Sequence, residues 1–233
     1  MRAMILAAGY GKRLAPLTNS IPKALVPIGG RPLLEIVLRR LESQGFTEIV
    51  VNLHYLADQV REFLDAYRPT AKASIYLSYE AELLDTGGGI KKMLDYLPGD
   101  DPVLVHNVDV LSDCPLDQVM QQFNSLPSCD ALLVALDQLT DRPLCFDENM
   151  NFRGRGDHAP NGACRHYAFT GIQVIRPFLF REYPEVKFYS IDLYLWAAAS
   201  GRTIKGLLFP GTWWRDLGTF ADLAAAERDM LVT

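Results

Sequence analysis

The chain has no Cys-x-x-Cys pair. Its four cysteines, Cys114, Cys129, Cys145 and Cys164, stand singly, with no neighbouring histidine at metal-ligand spacing. Finger- and ribbon-type zinc sites are thereby excluded, and buried, reduced thiols are the expectation. No apolar run approaches the ~18 residues of a membrane span. The N-terminus opens on a strand pattern in place of a charged segment and a long apolar stretch, so a soluble, cytoplasmic protein is expected. No block of Lys or Arg offers a nucleic-acid surface, and a formal net charge of −5 gives no global pull on a polyanion. Any phosphate ligand must be held by local geometry. There is no internal repeat and no hexapeptide β-helix pattern, so a solenoid is excluded for these residues and a trimerising extension of that kind is not expected.

What is present is a chain of 233 residues, 49% hydrophobic, enough for a single α/β domain over 1–233 with a sizeable core. Arg2 to Ala7 reads as a buried strand, and a helix follows in which Leu34, Val37, Leu38 and Leu41 share a face. Thr47 to Asn52, the helix Leu56 to Tyr67 and the strand Ala73 to Ser78 complete a βαβαβ opening, which predicts right-handed crossovers and a parallel core. Pro102 to Leu111 and Ala131 to Leu136 are further strands, with a helix over Leu116 to Phe123 between them. Between Asp137 and Cys164, in an excursion over about 137–190, Asp, Asn, Gly and Pro crowd in. That stretch predicts an excursion of short antiparallel strands, with Gly154 to Gly162 a mobile loop placed to act as a lid. Tyr167 to Ile175, a helix capped by Ser190, Thr203 to Phe209, and a helix over Phe220 to Leu231 capped by Thr219 close the chain.

The chemistry concentrates after the first strand, in Leu6-Ala7-Ala8-Gly9-Tyr10-Gly11-Lys12-Arg13-Leu14 and Pro22-Lys23. Gly9 and Gly11 permit positive φ and leave backbone N–H groups unobstructed for a polyphosphate, and Lys12, Arg13 and Lys23 supply cations. The third glycine of a dinucleotide fingerprint is missing, as is the Gly-Lys-Ser/Thr ending of a P-loop. A second glycine run, Thr86-Gly87-Gly88-Gly89, precedes a helical pattern. At roughly 1 kcal/mol each relative to alanine inside a helix, three glycines need a reason, and close approach of backbone to a ligand stands beside a flexible loop capped by Thr86. Asp109 ends an apolar strand, where a carboxylate is costly unless paired or metal-bound. Asp216 follows Trp213-Trp214-Arg215, Gly171 sits inside a strand and marks a bulge or a close neighbour, and Asp192 suits the first turn of its helix.

Taken together these motifs resemble the family of nucleotidyltransferases that join a nucleoside triphosphate to a sugar 1-phosphate. Five of them occur in family order from Leu6 to Thr219. The resemblance implies a Rossmann-like, mixed but mostly parallel central sheet flanked by helices. It also implies Mg²⁺ on Asp109 and Asp216, with Arg13, Lys23 and Asp109 as catalytic residues. Ala7, Ala8, Gly9, Gly11, Lys12, Gly87 and Gly88 would bind the nucleotide, the second glycine run through its backbone. Asn107, Thr170, Gly171 and Asp192 would contact the sugar. Two departures stand out: Val108 replaces the family's usual glycine before the acid and would narrow the space near the ligands, and the Glu-Lys-Pro segment of some relatives is missing, with Arg153, Arg155 and Arg165 as substitutes for its lysine. Chain length and the Thr-Gly-Gly-Gly form resemble the N-acetylmuramate 1-phosphate uridylyltransferase group. Guanylyl transfer to a mannose or heptose 1-phosphate, cytidylyl transfer to a phosphoalcohol, and non-catalytic nucleotide-sugar binding are the alternatives, in a monomer or homodimer.

Overall fold

The computed structural model describes residues 1–138, 140–156 and 164–230; most of the expected lid, from 157 onward, lies outside the described residues. Nine strands form one sheet. At its parallel centre are β1 (Arg2–Leu6), β4 (Glu48–Leu53), β5 (Ser74–Tyr79) and β6 (Val103–Asn107), arranged β5-β4-β1-β6. β11 (Arg165–Ile175) runs antiparallel beside β6 and pairs on with β8 (Ala131–Leu136), which carries β12 (Ile204–Leu208) in parallel. β9 (Leu144–Phe146) and β10 (Phe152–Arg155) extend from the start of β11 as the short antiparallel strands expected of the excursion. The mixed, mostly parallel sheet expected from the sequence is present.

Strand alternation assigns the helices to faces. Ala3 and Ile5 of β1 pack with α1 (Leu33–Ser43), α2 (Ala57–Tyr67) and α4 (Leu116–Asn124), whereas Met4 between them joins α3 (Asp85–Met93), α5 (Pro177–Glu182) and α6 (Ser190–Ala199) on the other side. The face predicted for α1 is the one buried: Leu34, Val37, Leu38 and Leu41 have at most 1% exposure. Each such side chain contributes about 1.5–3 kcal/mol by leaving water.

The strand expected over Pro102 to Leu111 is two strands. β6 ends at Asn107, and after a turn at Val108 and Asp109 the chain resumes as β7 (Val110–Ser112), paired with β13 (Trp214–Asp216) in a separate two-stranded sheet. Apolar residues run through the turn, so periodicity alone hides it. Val108 is 4% exposed and packs into the core below the sheet, so it does not narrow the ligand space as expected. The remaining small sheet, β2 (Pro27–Ile28) with β3 (Arg31–Pro32), leads into α1, and α7 (Phe220–Met230) closes the described chain.

Candidate active site

The glycine loop leaves β1 at the carboxyl edge of the parallel strands, where ligands collect in such sheets. Ala7 and Ala8 are buried, and the Ala7 N–H donates to Asn52 Oδ1 at 2.6 Å. Gly11 has φ +64°, and a Cβ there would meet Lys23 Cβ and Thr18 Cγ2 at 3.0 Å, so glycine is required twice over. Gly9, expected to share that conformation, does not have a left-handed φ; the space in front of it is open, with nothing within 4 Å of a built Cβ, and it borders a hollow of about 220 Å³. Lys12 is exposed, its ammonium 5.4 Å from the centre of the Tyr10 ring.

Register brings the two acids together. Asp216 stands opposite Val110 in the β7–β13 ladder, and Leu217 N–H donates to the Asp109 carbonyl at 2.8 Å. Lys23, only 8% exposed, forms an ion pair with the Asp109 carboxylate. Arg13 lies 3.9 Å from Asp216 and rests on the backbone of Gly218, where any side chain would displace its guanidinium. Burial, and then the charge of Asp109, hold the Asp216 carboxyl above the ordinary aspartate range, with Lys23 and Arg13 opposing. Its Oδ1 is buried without a hydrogen-bond partner among the described residues. Two neighbouring carboxylates with an orphaned oxygen are a donor set that suits a hard divalent cation.

The second glycine run lies inside α3, not before it. A Cβ on Gly87 would enter the Phe188 ring, one on Gly88 would strike the Val186 carbonyl, and one on Gly89 would sit 2.9 Å from Asn52 Nδ2 and Glu80 Oε1. The N–H groups of Gly87 and Gly88 donate to the Phe188 carbonyl at 2.8 and 3.2 Å. Their backbone donors are spent inside the protein, which corrects the expectation that those donors read the nucleotide. The glycines let the α3 N-terminus dock on the 186–188 segment that leads into α6. Thr86, a cap in the flexible-loop alternative, instead accepts the Ser190 N–H at 3.0 Å and ties the two helix starts together.

A hollow of about 360 Å³ adjoins the first and shares Leu6, Thr86, Asn107 and Tyr189 with it. Its walls carry Asp216, Trp214, Gln173 and Phe169, with Arg142 and Arg155 on the excursion. Asn107 lies at the junction. Gly171 takes φ +80° at a register shift in β11, and a Cβ there would sit 2.7 Å from Asn107 Nδ2, so it is a bulge set by a close neighbour. Thr170 is not positioned to offer its hydroxyl to a sugar: it donates to the Val134 carbonyl at 2.9 Å and accepts from Ile172 N–H at 3.1 Å. Asp192 accepts the Tyr189 N–H at 3.3 Å as a helix cap and lines neither hollow; Ser190, expected as that cap, is the first helical residue. Arg153 is tied to Asp147 at 2.6 Å and Arg165 is exposed, so of the three candidate arginines Arg155 alone lines the cleft.

Sequence reasoning missed the buried pair beneath the loop. Glu80, fully buried, accepts from Asn52 Nδ2 at 2.7 Å and from Leu84 N–H at 2.9 Å, so that β1, β4 and the approach to α3 are braced together. Asp85, bordering the smaller hollow, holds φ +59°, rare for a residue with a side chain. A polar residue inside the apolar pattern of β4 was the available signal for Asn52. The expectation of separate thiols is also corrected: Cys145 on β9 and Cys164 before β11 are disulfide-linked with Cα atoms 5.7 Å apart, and His166 completes a cluster within 4.8 Å. Strand pairing joins residues that no spacing rule connects. Cys114 and Cys129 are buried free thiols, and burial pushes both up to about 11.

Residues 2–141 match the family described as Nucleotidyl transferase. The chain is 34% identical to an N-acetylmuramate alpha-1-phosphate uridylyltransferase of Caulobacter vibrioides, over 97% of this chain and 96% of that protein. It is 32% identical to the protein of the same description in Neisseria meningitidis, over 97% of each. Among solved structures, HddC from Yersinia pseudotuberculosis complexed with GMP-PN superposes with a TM-score of 0.81 at 24% identity, covering 98% of this chain and 99% of that one. The chain belongs to the nucleotidyl transferase family and is an enzyme of its sugar-1-phosphate nucleotidylyltransferase branch.

Proposed function

We propose that the chain transfers the uridylyl group of UTP to N-acetylmuramate 1-phosphate in the cytoplasm, giving the UDP-sugar and pyrophosphate. An oxygen of the sugar 1-phosphate attacks the α-phosphorus, the bond to the β-phosphate bridging oxygen breaks, and its electron pair leaves with pyrophosphate. Positioning and charge neutralisation supply most of the barrier reduction in such a transfer. The observation that carries the reading is the convergence of Asp109 and Asp216, each beside a cation, between the two adjoining hollows.

The smaller hollow, with Ala8, Gly9 and Asn52, takes the nucleotide, and the larger one takes the sugar. Lys23 holds phosphate oxygens where nucleophile and α-phosphorus meet, and Arg13, on the rim, holds the departing pyrophosphate. Asp109 and Asp216 would hold Mg²⁺, which when bound neutralises charge on the α-phosphate region. The identity of both curated relatives over nearly the whole chain supports uracil and N-acetylmuramate as base and sugar.

Pyrophosphate release, measured with each of the four ribonucleoside triphosphates and dTTP against N-acetylmuramate, N-acetylglucosamine, mannose and heptose 1-phosphates, tests the reading. Release greatest with UTP and N-acetylmuramate 1-phosphate is expected. Greatest release with GTP and mannose or heptose 1-phosphate moves the assignment to guanylyl transfer, and no release with any pair overturns catalysis.

A further inference from the structure

The larger hollow is electrically lopsided. At the end shared with the reacting centre stands Asp216; its excursion wall carries two arginines, Arg142 after β8 and Arg155 on β10. Neither arginine borders the smaller hollow that contains Asp109. Neither has an ion-pair partner among the described residues, whereas nine other arginines do, including Arg153 two positions away from Arg155 on the same strand. Arg153 and Arg155 share the outward face of β10, yet the Asp147 turn captures only the first. Two like charges facing one cavity repel until an anion sits between them, and a planar guanidinium fork matches a carboxylate bidentately.

We infer that Arg142 and Arg155 form a carboxylate subsite, which reads an acidic substituent on the sugar ring at a point removed from its 1-phosphate. This rests on the transferase reading, which puts that phosphate beside Asp109, Asp216 and Lys23. The remaining walls suit an uncharged ring: Trp214, held by its Nε1–H donating to the Thr170 carbonyl at 2.9 Å, and Gln173, whose Oε1 accepts the Tyr194 hydroxyl at 2.7 Å and so leaves the amide NH₂ as a donor. An uncharged sugar gives the arginines nothing to bind. A carboxylate-bearing ether on the ring does.

The test compares N-acetylmuramate 1-phosphate with N-acetylglucosamine 1-phosphate, which lacks the carboxylate, by kcat/KM with UTP and by calorimetric binding. The wild type should prefer the acidic sugar, and Arg142→Gln and Arg155→Gln should each reduce that preference roughly ten- to hundredfold, the weight of a charge-assisted contact. Arg153→Gln, on the same strand but tied to Asp147, controls for loss of positive charge alone and should keep the preference. An unchanged ratio in both pocket variants, an equal fall for both sugars, or an equal effect of Arg153→Gln overturns the subsite. A wild type that turns over neither sugar but binds the acidic one preferentially, with that preference lost in the pocket variants, overturns the transferase reading and keeps the subsite.

Discussion

Lys23 and Asp109, 86 residues apart in the chain, meet as an ion pair in a cleft where Lys23 is 8% exposed. The pair holds an acid of the β6–β7 turn against a cation that follows the glycine loop, and on the proposed reading a phosphate entering between them would exchange one partner for another. Lys23→Ala should lower kcat by one to three orders of magnitude, roughly the weight of one lost transition-state contact, and raise the KM for triphosphate. Steady-state kinetics in both substrates checks this; unaltered constants would remove Lys23 from the phosphate path.

Asp109→Asn and Asp216→Asn should each abolish most turnover while the fold persists, and they should part company in stability. The Asp216 carboxyl titrates higher in the folded chain than in the unfolded one, chiefly through burial and then through Asp109. Across that window the folded state binds more protons, so the contribution of this group to the stability of the metal-free protein is greatest at acid pH and is lost as pH rises through the shifted value. Asp216→Asn removes the uncomfortable charge and should raise the melting temperature of the metal-free enzyme at neutral pH, while the stabilisation by Mg²⁺ disappears. Thermal melts with Mg²⁺ and with chelator decide it. A lower melting temperature without metal would show that the Arg13 contact outweighs the repulsion.

The glycine run makes a packing prediction. Gly88→Ala forces a methyl group onto the Val186 carbonyl, which should cost about 1–3 kcal/mol, a fall in Tm of roughly 3–10 °C. A ligand-reading role would instead raise the Kd for UTP with little change in the unliganded Tm. Calorimetry and a melt on the same variant separate the two.

The Cys145–Cys164 link spans a sequence separation of 19 residues, and closing a loop of that size stabilises by about 3 kcal/mol in the chain-entropy account. Melts with and without reductant should differ accordingly, and Cys145→Ser should abolish the difference. Denatured without reductant the protein should show two reactive thiols, Cys114 and Cys129; four would mean the link is open in solution.

The buried brace beneath the loop predicts that Asn52→Ala lowers stability by about 1–3 kcal/mol, because it strips a partner from both the Ala7 N–H and the buried Glu80 carboxylate. Denaturant unfolding measures it.

Local chemistry was enough, by itself, for a good part of this protein. Apolar stretches of strand length, the 3.6-residue spacing in α1 and α2, the left-handed Gly11 and the Thr219 cap, whose hydroxyl donates to Asp222 at 2.7 Å, follow from backbone sterics and burial acting over a few residues. Tertiary structure alone decided what each such piece meets. The turn that splits β6 from β7 is invisible in an apolar run, yet it makes room for β13 and so sets Asp216 beside Asp109. The glycines of α3 are explained by Phe188 and Val186, about a hundred residues on, and Cys164 by a strand register. Thr170 spends its hydroxyl on β8 because a bulge turns it there. Sequence patterns report each residue's own conformational and burial preferences; partners at long range are chosen by crossovers and register, which are properties of the whole packed sheet.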